Sequence, residues 1–520
     1  MAIKRYFAKS DNTITNAFEE NLSTRATGSN MGASDILEVF SIYGQANSSS
    51  AEKSRALLKF DVTASANSIK QDRTDGKIPV SGSVSFYLRM FNTPHSQTLP
   101  KDFTMDVSAV NGHWKEGSGL DMDAYKDKGS SNWINRLTSS AGITAWTKEG
   151  GDYYVDTTSS FTASFPAGVE DMELDITTLV EQWVSSSANS KTAVNLGSKD
   201  DEGVGVFISN TYGSAKRSYY TKKFFGRGTE FFFKRPCIEA RWDSSKKDDR
   251  GNFYYSSSLA TAEDNMNTLY LYNYFRGQLR NIPAVGTGNI CVSFFSGNAG
   301  DIAPSGSALI LVSDGSSVRT AANTVVTGGY VSTGIYTASL ALTAASTPLS
   351  TLYDVWFKSA NTVADSTTAA TRYHTGSIKP KSISVSSMAP STEYVSSITN
   401  LKTVYRDDET ARFRVYTRQK DWSPTIYTKA VAQAETNIVE SGSYEIHRVA
   451  DDLKIIPYGT GSLRHTQMSF DVSGSYFDLG MAMLEPGYMY GIKFAYYNNS
   501  VGSWVEQPET FKFRVESRQS

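Results

Sequence analysis

The stretch SVSFYLRM, residues 83–90, alternates polar and apolar side chains over most of its length. The same alternation returns in RFRVY, residues 412–416, and in FKFRV, residues 511–515. Because successive side chains of a β-strand point to opposite faces, a period of two predicts strands with one face on a core and one face in water. Clusters of Gly, Asn, Asp and Ser separate such runs at short intervals, which is typical of sandwiches and barrels. The sequence therefore predicts an all-β protein of tandem antiparallel β-sandwiches.

The composition agrees with this prediction. The chain has 29 Tyr, 26 Phe and 39 Gly, and aromatic residues favour strands while Gly favours the turns between them. One segment, DITTLVEQW at residues 175–183, has a helical pattern instead. Leu179, Val180 and Trp183 share one face of such a helix, and Asp175 or Thr177 can cap its start. We expect one short helix laid across a sheet.

Three domains are expected from length and composition. A chain of 520 residues holds about three domains at roughly 150 residues each. We place the first at residues 1–245, the second at 252–384 and the third at 385–520. The stretch from Asp243 to Arg250 is highly charged and is interpreted as a solvated linker.

Charge and hydropathy exclude several classes of partner. The chain carries 51 Lys and Arg against 53 Asp and Glu, a formal net charge of −2, so no strong electrostatic attraction to nucleic acid or to an anionic membrane is expected. No apolar run follows the first basic residues, so a signal peptide is not expected. No run of about 18 apolar residues occurs, so a membrane span is not expected either. Cys237 and Cys291 are expected to be packed free thiols.

Candidate catalytic groups do not converge in the sequence. His113 and Glu116 are three residues apart and point to opposite faces of a strand, so Trp114 is expected to fill the core and Gly117 to turn the chain. Two cysteines and five histidines also disfavour an ordinary zinc site. We therefore predict no catalytic residue, no cofactor and no assigned metal ligand.

An acidic loop leaves one question open. Asp121, Asp123 and Asp127 resemble a calcium loop in their spacing, but Tyr125 and Lys126 occupy the fifth and sixth positions, where such a loop needs an oxygen ligand and a glycine. A helix-loop-helix calcium site is excluded, whereas an irregular cation site in a sandwich loop stays open.

One segment has the composition of a contact surface. Residues 219–228 interleave aromatic and basic side chains. A strand and its turn, with some aromatics inward and the charges outward, explains the pattern, and an interface or a nucleic-acid or glycan site can occupy the same strand. Since Tyr, Phe and Arg are enriched at interface cores, protein contact is favoured among the binding roles. The candidate interface residues are Tyr219, Tyr220, Lys222, Phe224 and Arg227.

The first domain resembles a known module. LLKFDV at residues 57–62, the W-x-E-G motif at 114–117 and LDITTLVEQW at 174–183 follow one another in an order similar to that of DNRLRE-type domains. This resemblance covers about the first 45% of the chain and implies a jelly-roll-like β-sandwich of bacterial surface and phage structural proteins.

The remainder resembles Ig-like sandwiches of virion proteins from large contractile-tailed phages, particularly marine ones. The segments that carry this resemblance are GGYVSTGIY at 328–336, YDVW at 353–356, YGTG at 458–461 and FDVSGSYF at 470–477.

Together the two resemblances imply a non-enzymatic virion structural protein, located in the phage particle at its neck, tail or baseplate. Its implied partners are other virion proteins, and the chain itself is expected to form a homo-oligomer within a symmetric assembly. The alternatives are a receptor- or carbohydrate-binding adhesin and a polysaccharide depolymerase, and for the depolymerase no carboxylate pair is nominated.

Overall fold

Strands dominate the computed structural model, at 45% against 7% helix, and this confirms the all-β prediction. Apart from one parallel pair, the named strands pair antiparallel. The structure describes residues 2–43, 51–63, 66–95, 99–185, 201–215, 218–300, 303–313, 323–358, 362–381, 393–420 and 436–518. In these ranges no helix is both long enough and apolar enough to cross a membrane.

The chain folds as two compact units. The first comprises Met1–Asp243, Gly461–His465 and Ala482–Glu485, and the second comprises the rest of the chain. Each sheet lies within one of the three predicted domain ranges, but the second range and most of the third share one compact unit. That they fold as separate domains stays a prediction.

The first unit contains twelve strands and three helices in the described residues, together with a short 3-10 turn at Phe232–Lys234. They are β1 Ile3–Thr15, β2 Ile36–Tyr43, β3 Glu52–Phe60, α1 Ile69–Thr74, β4 Ser85–Met90, β5 Phe103–Ala109, β6 Asn135–Ser139, β7 Gly142–Ala145, β8 Ser160–Phe165, β9 Met172–Asp175, α2 Thr177–Ser185, β10 Val204–Ile208, α3 Asn210–Gly213, β11 Ser218–Phe225 and β12 Cys237–Arg241. The main sheet has the strand order β8-β5-β10-β3-β1-β12-β4-β9, with β2 paired to β3 and β11 paired to β2, and β6 and β7 form a separate hairpin.

The long strand β1 joins two halves of this sheet. Residues Ile3 to Phe7 pair with β12, the following residues pair with β3, and the register shifts between Ala8 and Ser10. A bulge of this kind bends a strand and lets it pass from one sheet layer to the next.

Helix α2 confirms the single strong helical prediction. Leu179, Val180 and Trp183 are fully buried, and the helix packs on β4. A second, smaller core forms around three tryptophans, Trp114, Trp133 and Trp146. Trp114 thus fills a core, as expected from its motif.

The second sandwich begins the other unit. Its elements are β13 Asn267–Tyr272, β14 Tyr274–Phe275, β15 Gln278–Leu279, β16 Ile290–Asn298, β17 Pro304–Ala308, β18 Val326–Ser332, β19 Ile335–Leu340, β20 Leu352–Lys358, α4 Val363–Thr367 and β21 Arg372–Ile378. The strand order is β13-β19-β18-β16-β20-β21, with β17 paired to β16, and β14 and β15 form a separate hairpin. Cys291 on β16 and Cys237 on β12 are both buried, and neither is part of a disulfide, as predicted.

The third sandwich has two sheets, and a short 3-10 turn is present at Met481–Met483. Its strands are β22 Tyr394–Ile398, β23 Val404–Arg406, β24 Thr410–Gln419, β25 Gly442–Arg448, β26 Leu453–Ile456, β27 Ser469–Asp471, β28 Gly474–Gly480, β29 Met489–Asn498, β30 Ser503–Glu506 and β31 Phe511–Glu516. One sheet is β22-β24-β28-β27, and the other is β23-β31-β29-β25-β26 with β30 on β29.

Aromatic rings from both sheets meet in the core of the third sandwich. The ring centroid of Phe477 lies 5.1 Å from that of Phe413 in its own sheet and 4.1 Å from that of Tyr444 in the opposite sheet. Such offset and stacked pairs add to the stabilisation that area burial provides.

The charged stretch before the second sandwich is not a solvated linker, and that prediction was wrong. Asp243 is exposed, but the N–H of Asp248 donates to the carbonyl of Phe470 at 3.1 Å, and the N–H of Phe470 donates to that of Lys246 at 3.1 Å. Residues 246–248 thus pair in parallel with β27 of the third sandwich. Burial of this connection raises the pKa of Asp248 to about 6.

Candidate functional site

Strand β11 carries the residues that the sequence nominated as an interface. It pairs antiparallel with β2 along its whole length. On its other side, the N–H of Phe225 donates to Phe91 and the N–H of Thr93 donates to Lys223, so the C-terminal half of β11 is covered. No described residue pairs with the outer edge of its N-terminal half. Within the described part of the chain, the edge of β11 near Tyr219 therefore has no backbone partner.

Lys222 and Phe224 do not belong to any surface, which corrects their nomination as interface residues. Both side chains are fully buried. Their common face follows from alternation, because residues two apart on a strand point to the same side, and here that side is the core. The prediction that the basic side chains face outward fails for Lys222.

The environment of Lys222 explains how a cation is accommodated there. Its Nζ donates to Asn92 Oδ1 at 2.7 Å, to the Gly168 carbonyl at 2.9 Å and to the Glu170 carbonyl at 2.7 Å. It also lies 4.8 Å from the ring centroid of Phe165, within the range of cation–π attraction. Burial lowers the pKa of Lys222 to about 8, and the nearby acidic residues only partly oppose this shift.

Tyr219 reaches the surface, and Tyr220 is half-buried beside it. The side chain of Tyr219 is 62% exposed, and its ring stacks on that of Tyr220 at 4.8 Å between centroids. Tyr220 contacts Tyr212 edge-on at 5.0 Å and Phe103 at 5.5 Å, and Phe103 stacks on the core ring of Phe165 at 5.3 Å. A continuous series of aromatic rings thus connects the exposed tyrosine to the core.

The neighbouring strand contributes a residue that sequence reasoning missed. Ile42 on β2 stands in register opposite Tyr219 and is 42% exposed, and the half-buried Phe40 stands opposite Thr221. Alternation along β2 was the available signal, since Leu37 and Val39 lie on the buried face and Phe40 and Ile42 lie on the opposite face. We call Tyr219, Tyr220, Ile42 and Phe40 the tyrosine patch.

Arg227 is bound by residues of its own unit and is not an unpaired surface cation. Its guanidinium makes a bidentate ion pair with Glu116, at 2.6 and 2.8 Å, and its backbone N–H donates to Asp11 at 2.6 Å. Burial raises the pKa of Asp11 to about 7. The charge of Arg227 is therefore matched by Glu116 in the same unit. The remaining interface candidates lie in the tyrosine patch.

The W-x-E-G motif has the structural role that was expected. His113 faces Glu202 at 3.1 Å, whereas Glu116 faces Arg227, so the histidine and the motif carboxylate do not converge. Gly117 has a φ of +87°, and a Cβ there would collide with Asn30. Only glycine fits this turn without strain.

The acidic loop binds its own backbone. One carboxylate oxygen of Asp121 accepts the N–H groups of Asp123, Ala124 and Tyr125 at 2.6–3.0 Å, and these bonds hold the pKa of Asp121 below its ordinary value. Asp127 accepts from the Ser118 N–H at 2.8 Å. Across the described ranges, no group of three or more acidic, His or Cys residues is arranged to hold a metal ion, and the structure gives no support to the loop cation site.

Comparison with known proteins adds little to this geometry. No protein-family model and no curated protein matches the chain. Among solved structures, trypsin-activated alpha-2-macroglobulin from Escherichia coli aligns at a TM-score of 0.16 and 9% identity, over 89% of this chain and 24% of that one. The native conformation of the E. coli protein aligns at 0.14 and 9%, over 88% and 21%. The chain spans about a quarter of the length of those proteins. A TM-score of this size does not indicate a shared fold.

Proposed function

We propose that the chain is a non-enzymatic structural protein of a bacteriophage particle, which acts through protein–protein contacts at the neck, tail or baseplate. The order of the motifs LLKFDV, W-x-E-G and LDITTLVEQW supports the phage assignment through its resemblance to DNRLRE-type modules. The tyrosine patch supports the contact role, and it is the observation that carries the proposal.

The patch has the properties of an interface anchor. Tyrosine is enriched among residues that dominate binding energy. Because the ring of Tyr219 is already stacked on Tyr220, little side-chain freedom is left to lose on binding. The adjacent strand edge also offers backbone groups to which a neighbouring subunit can add a strand.

A stable contact buries about 1,000 Å² or more, so the patch is the centre of a larger surface in this proposal. Neighbouring copies within a symmetric particle supply the rest of the area, and other virion proteins are the partners.

The test is the protein content of purified particles. Phage lacking the gene is grown on cells that express either the unchanged chain or a Tyr219→Ser variant, and the particles are analysed by mass spectrometry. We expect the unchanged chain in the particle and the variant at about a tenth of that level or less, because an anchor side chain contributes about 2 kcal/mol. The matched control is Tyr125→Ser, since Tyr125 is 64% exposed and lies outside the patch.

Two outcomes count against the proposal. Absence of the unchanged chain from purified particles rejects the structural role. Equal incorporation of the Tyr219 and Tyr125 variants rejects the patch as the anchor. Binding of the purified chain to a glycan array, lost in the Tyr219 variant, would assign the surface to an adhesin instead.

A further inference from the structure

The hairpin formed by β14 and β15 presents two exposed aromatic residues on the second sandwich. Tyr274 pairs with Leu279, and Phe275 pairs with Gln278. Arg276 and Gly277 form the two-residue turn with φ values of +51° and +77°, as a type I′ turn requires. Tyr274 is 58% exposed and Phe275 is 52% exposed.

The base of the hairpin is held in place by its neighbours. The N–H of Arg280 donates to the Asn273 carbonyl at 3.0 Å, and the Asn273 side chain donates back to the Arg280 carbonyl at 2.6 Å. Asn273 also donates its N–H to Gly334 at 2.8 Å, and a Cβ on Gly334 would press against this base. The tip is therefore a preorganised projection.

Two arginines stack on the ring of Phe275. The guanidinium carbon of Arg276 lies 5.3 Å from the ring centroid, and that of Arg280 lies 5.5 Å from it. Arg280 follows Gln278 by two residues, so its side chain leaves the ribbon on the same face as Phe275. Both arginines are exposed, and the described residues provide neither of them with an ion pair or a side-chain hydrogen bond.

Elsewhere in this chain, the same arginine–aromatic arrangement includes an acceptor. Arg412 stacks on Tyr476 and pairs with Asp478, and Arg448 stacks on Tyr488 and pairs with Asp451. The other stacked arginines of the described ranges also bind carboxylates or backbone carbonyls, namely Arg25, Arg55, Arg73, Arg89, Arg241 and Arg414. The tip of the hairpin has the cations and the ring, but no described residue supplies an acceptor to these two side chains.

We propose that the Arg276–Phe275–Arg280 tip is a docking point for a pair of carboxylates on an acidic surface of a partner protein. Planar guanidinium groups bind carboxylates in a bidentate manner, and stacking on a ring fixes their orientation beforehand. The proposal rests on the proposed function only in taking the partner to be a protein, and it concerns a surface other than the tyrosine patch.

The experiment measures binding of a fluorescent peptide of alternating Glu and Thr to the full chain by anisotropy. We expect salt-sensitive binding that weakens by about tenfold in the Arg276→Gln, Arg280→Gln double variant, which removes two charge-assisted contacts. The matched control is the Arg448→Gln, Arg514→Gln double variant, which removes the same charge from two arginines that already have carboxylate partners. Its affinity should stay within about twofold of the unchanged chain.

Equal weakening in the two double variants, or no weakening in either, overturns the proposal. Tighter binding of a thymidine oligonucleotide than of the peptide, lost in the same tip variant, also overturns it and assigns the tip to nucleic acid. Thermal melting of each variant verifies that it is folded. Either failure is distinct from failure of the proposed function, which the particle content alone decides.

Discussion

Arg250 forms a bidentate ion pair with Asp354, in which two guanidinium nitrogens each lie 2.7 Å from one carboxylate oxygen. The aspartate side chain has no exposed surface. Trp356 donates its Nε1–H to the same carboxylate at 2.8 Å. A Cβ at Gly376 on strand β21 would collide with both members of the pair. The charged connection that ends at Arg250 is thus held against the second sandwich by a buried ion pair.

Replacement of Asp354 by Asn should destabilise the second unit strongly. The change leaves the Arg250 guanidinium buried without a counter-charge, and breaking a buried pair in this way costs about 3–5 kcal/mol in the free energy of unfolding. Urea unfolding followed by tryptophan fluorescence measures the loss. The control is Asp478→Asn, whose pair with Arg412 is partly exposed and should contribute at most about 1 kcal/mol. Similar losses in the two variants would contradict the assigned role of the Arg250–Asp354 pair.

Glu239 should make the stability of the first unit sensitive to acid. Burial alone would raise the pKa of Glu239, but the guanidinium groups of Arg5, Arg89 and Arg241 surround it and hold its pKa at about 2. Because the pKa in the folded state lies below the ordinary value, the stabilisation is complete above about pH 4.5 and is lost as the pH falls towards 2.

The Glu239→Gln variant tests this pH dependence. At about pH 7 it should lose about 3 kcal/mol of unfolding free energy, and its difference from the unchanged chain should shrink as the pH falls from about 4.5 to about 2. Chemical unfolding at several pH values measures the difference. Glu149→Gln alters an exposed carboxylate in the same unit and should remain within about 0.5 kcal/mol throughout. A pH-independent difference for Glu239→Gln would refute the argument.

Lys222 should make the stability of the first unit depend on pH in the alkaline range. Its pKa of about 8 in the folded state lies below its ordinary value of 10.5, so the folded chain binds fewer protons than the unfolded chain between these values. The contribution of Lys222 to stability should therefore rise as the pH increases from about 8 to about 10.5.

A Lys222→Met variant makes the effect measurable. It removes the donor from three acceptors on Asn92, Gly168 and Glu170 and should cost about 1–3 kcal/mol. Its deficit relative to the unchanged chain should be larger at about pH 9.5 than at about pH 7. Lys223→Met, on the same strand but half-exposed, serves as the control and should show no such growth. A constant Lys222→Met deficit across this range would count against the lowered pKa.

Local pattern was enough to predict the all-β class and helix α2, but it did not predict the short helices α1, α3 and α4. Residues 412–416 and 511–515 alternate as expected within β24 and β31, and Trp183 is buried on the predicted face of α2. These features depend on side chains that are close in sequence, so their periodicity is visible without a structure.

The buried charges could not be predicted in the same way. Lys222 depends on carbonyls at residues 168 and 170, and Arg250 depends on Asp354, more than a hundred positions away. A local window shows only the charge, and a charge is more often solvated. For the same reason, composition could not show that three of the five nominated interface residues are buried or already paired: Lys222 and Phe224 are fully buried, and Arg227 is paired with Glu116.

The pairing of residues 246–248 with β27 has a mechanical consequence. In sequence this connection comes before the second sandwich, yet its backbone hydrogen bonds are made to the third. When a force pulls residue 243 away from the C-terminal strand β31, the backbone hydrogen bonds to Phe470 bear it first. The second sandwich bears the force only after those bonds break. The pairing with β27 therefore protects the second sandwich from mechanical unfolding.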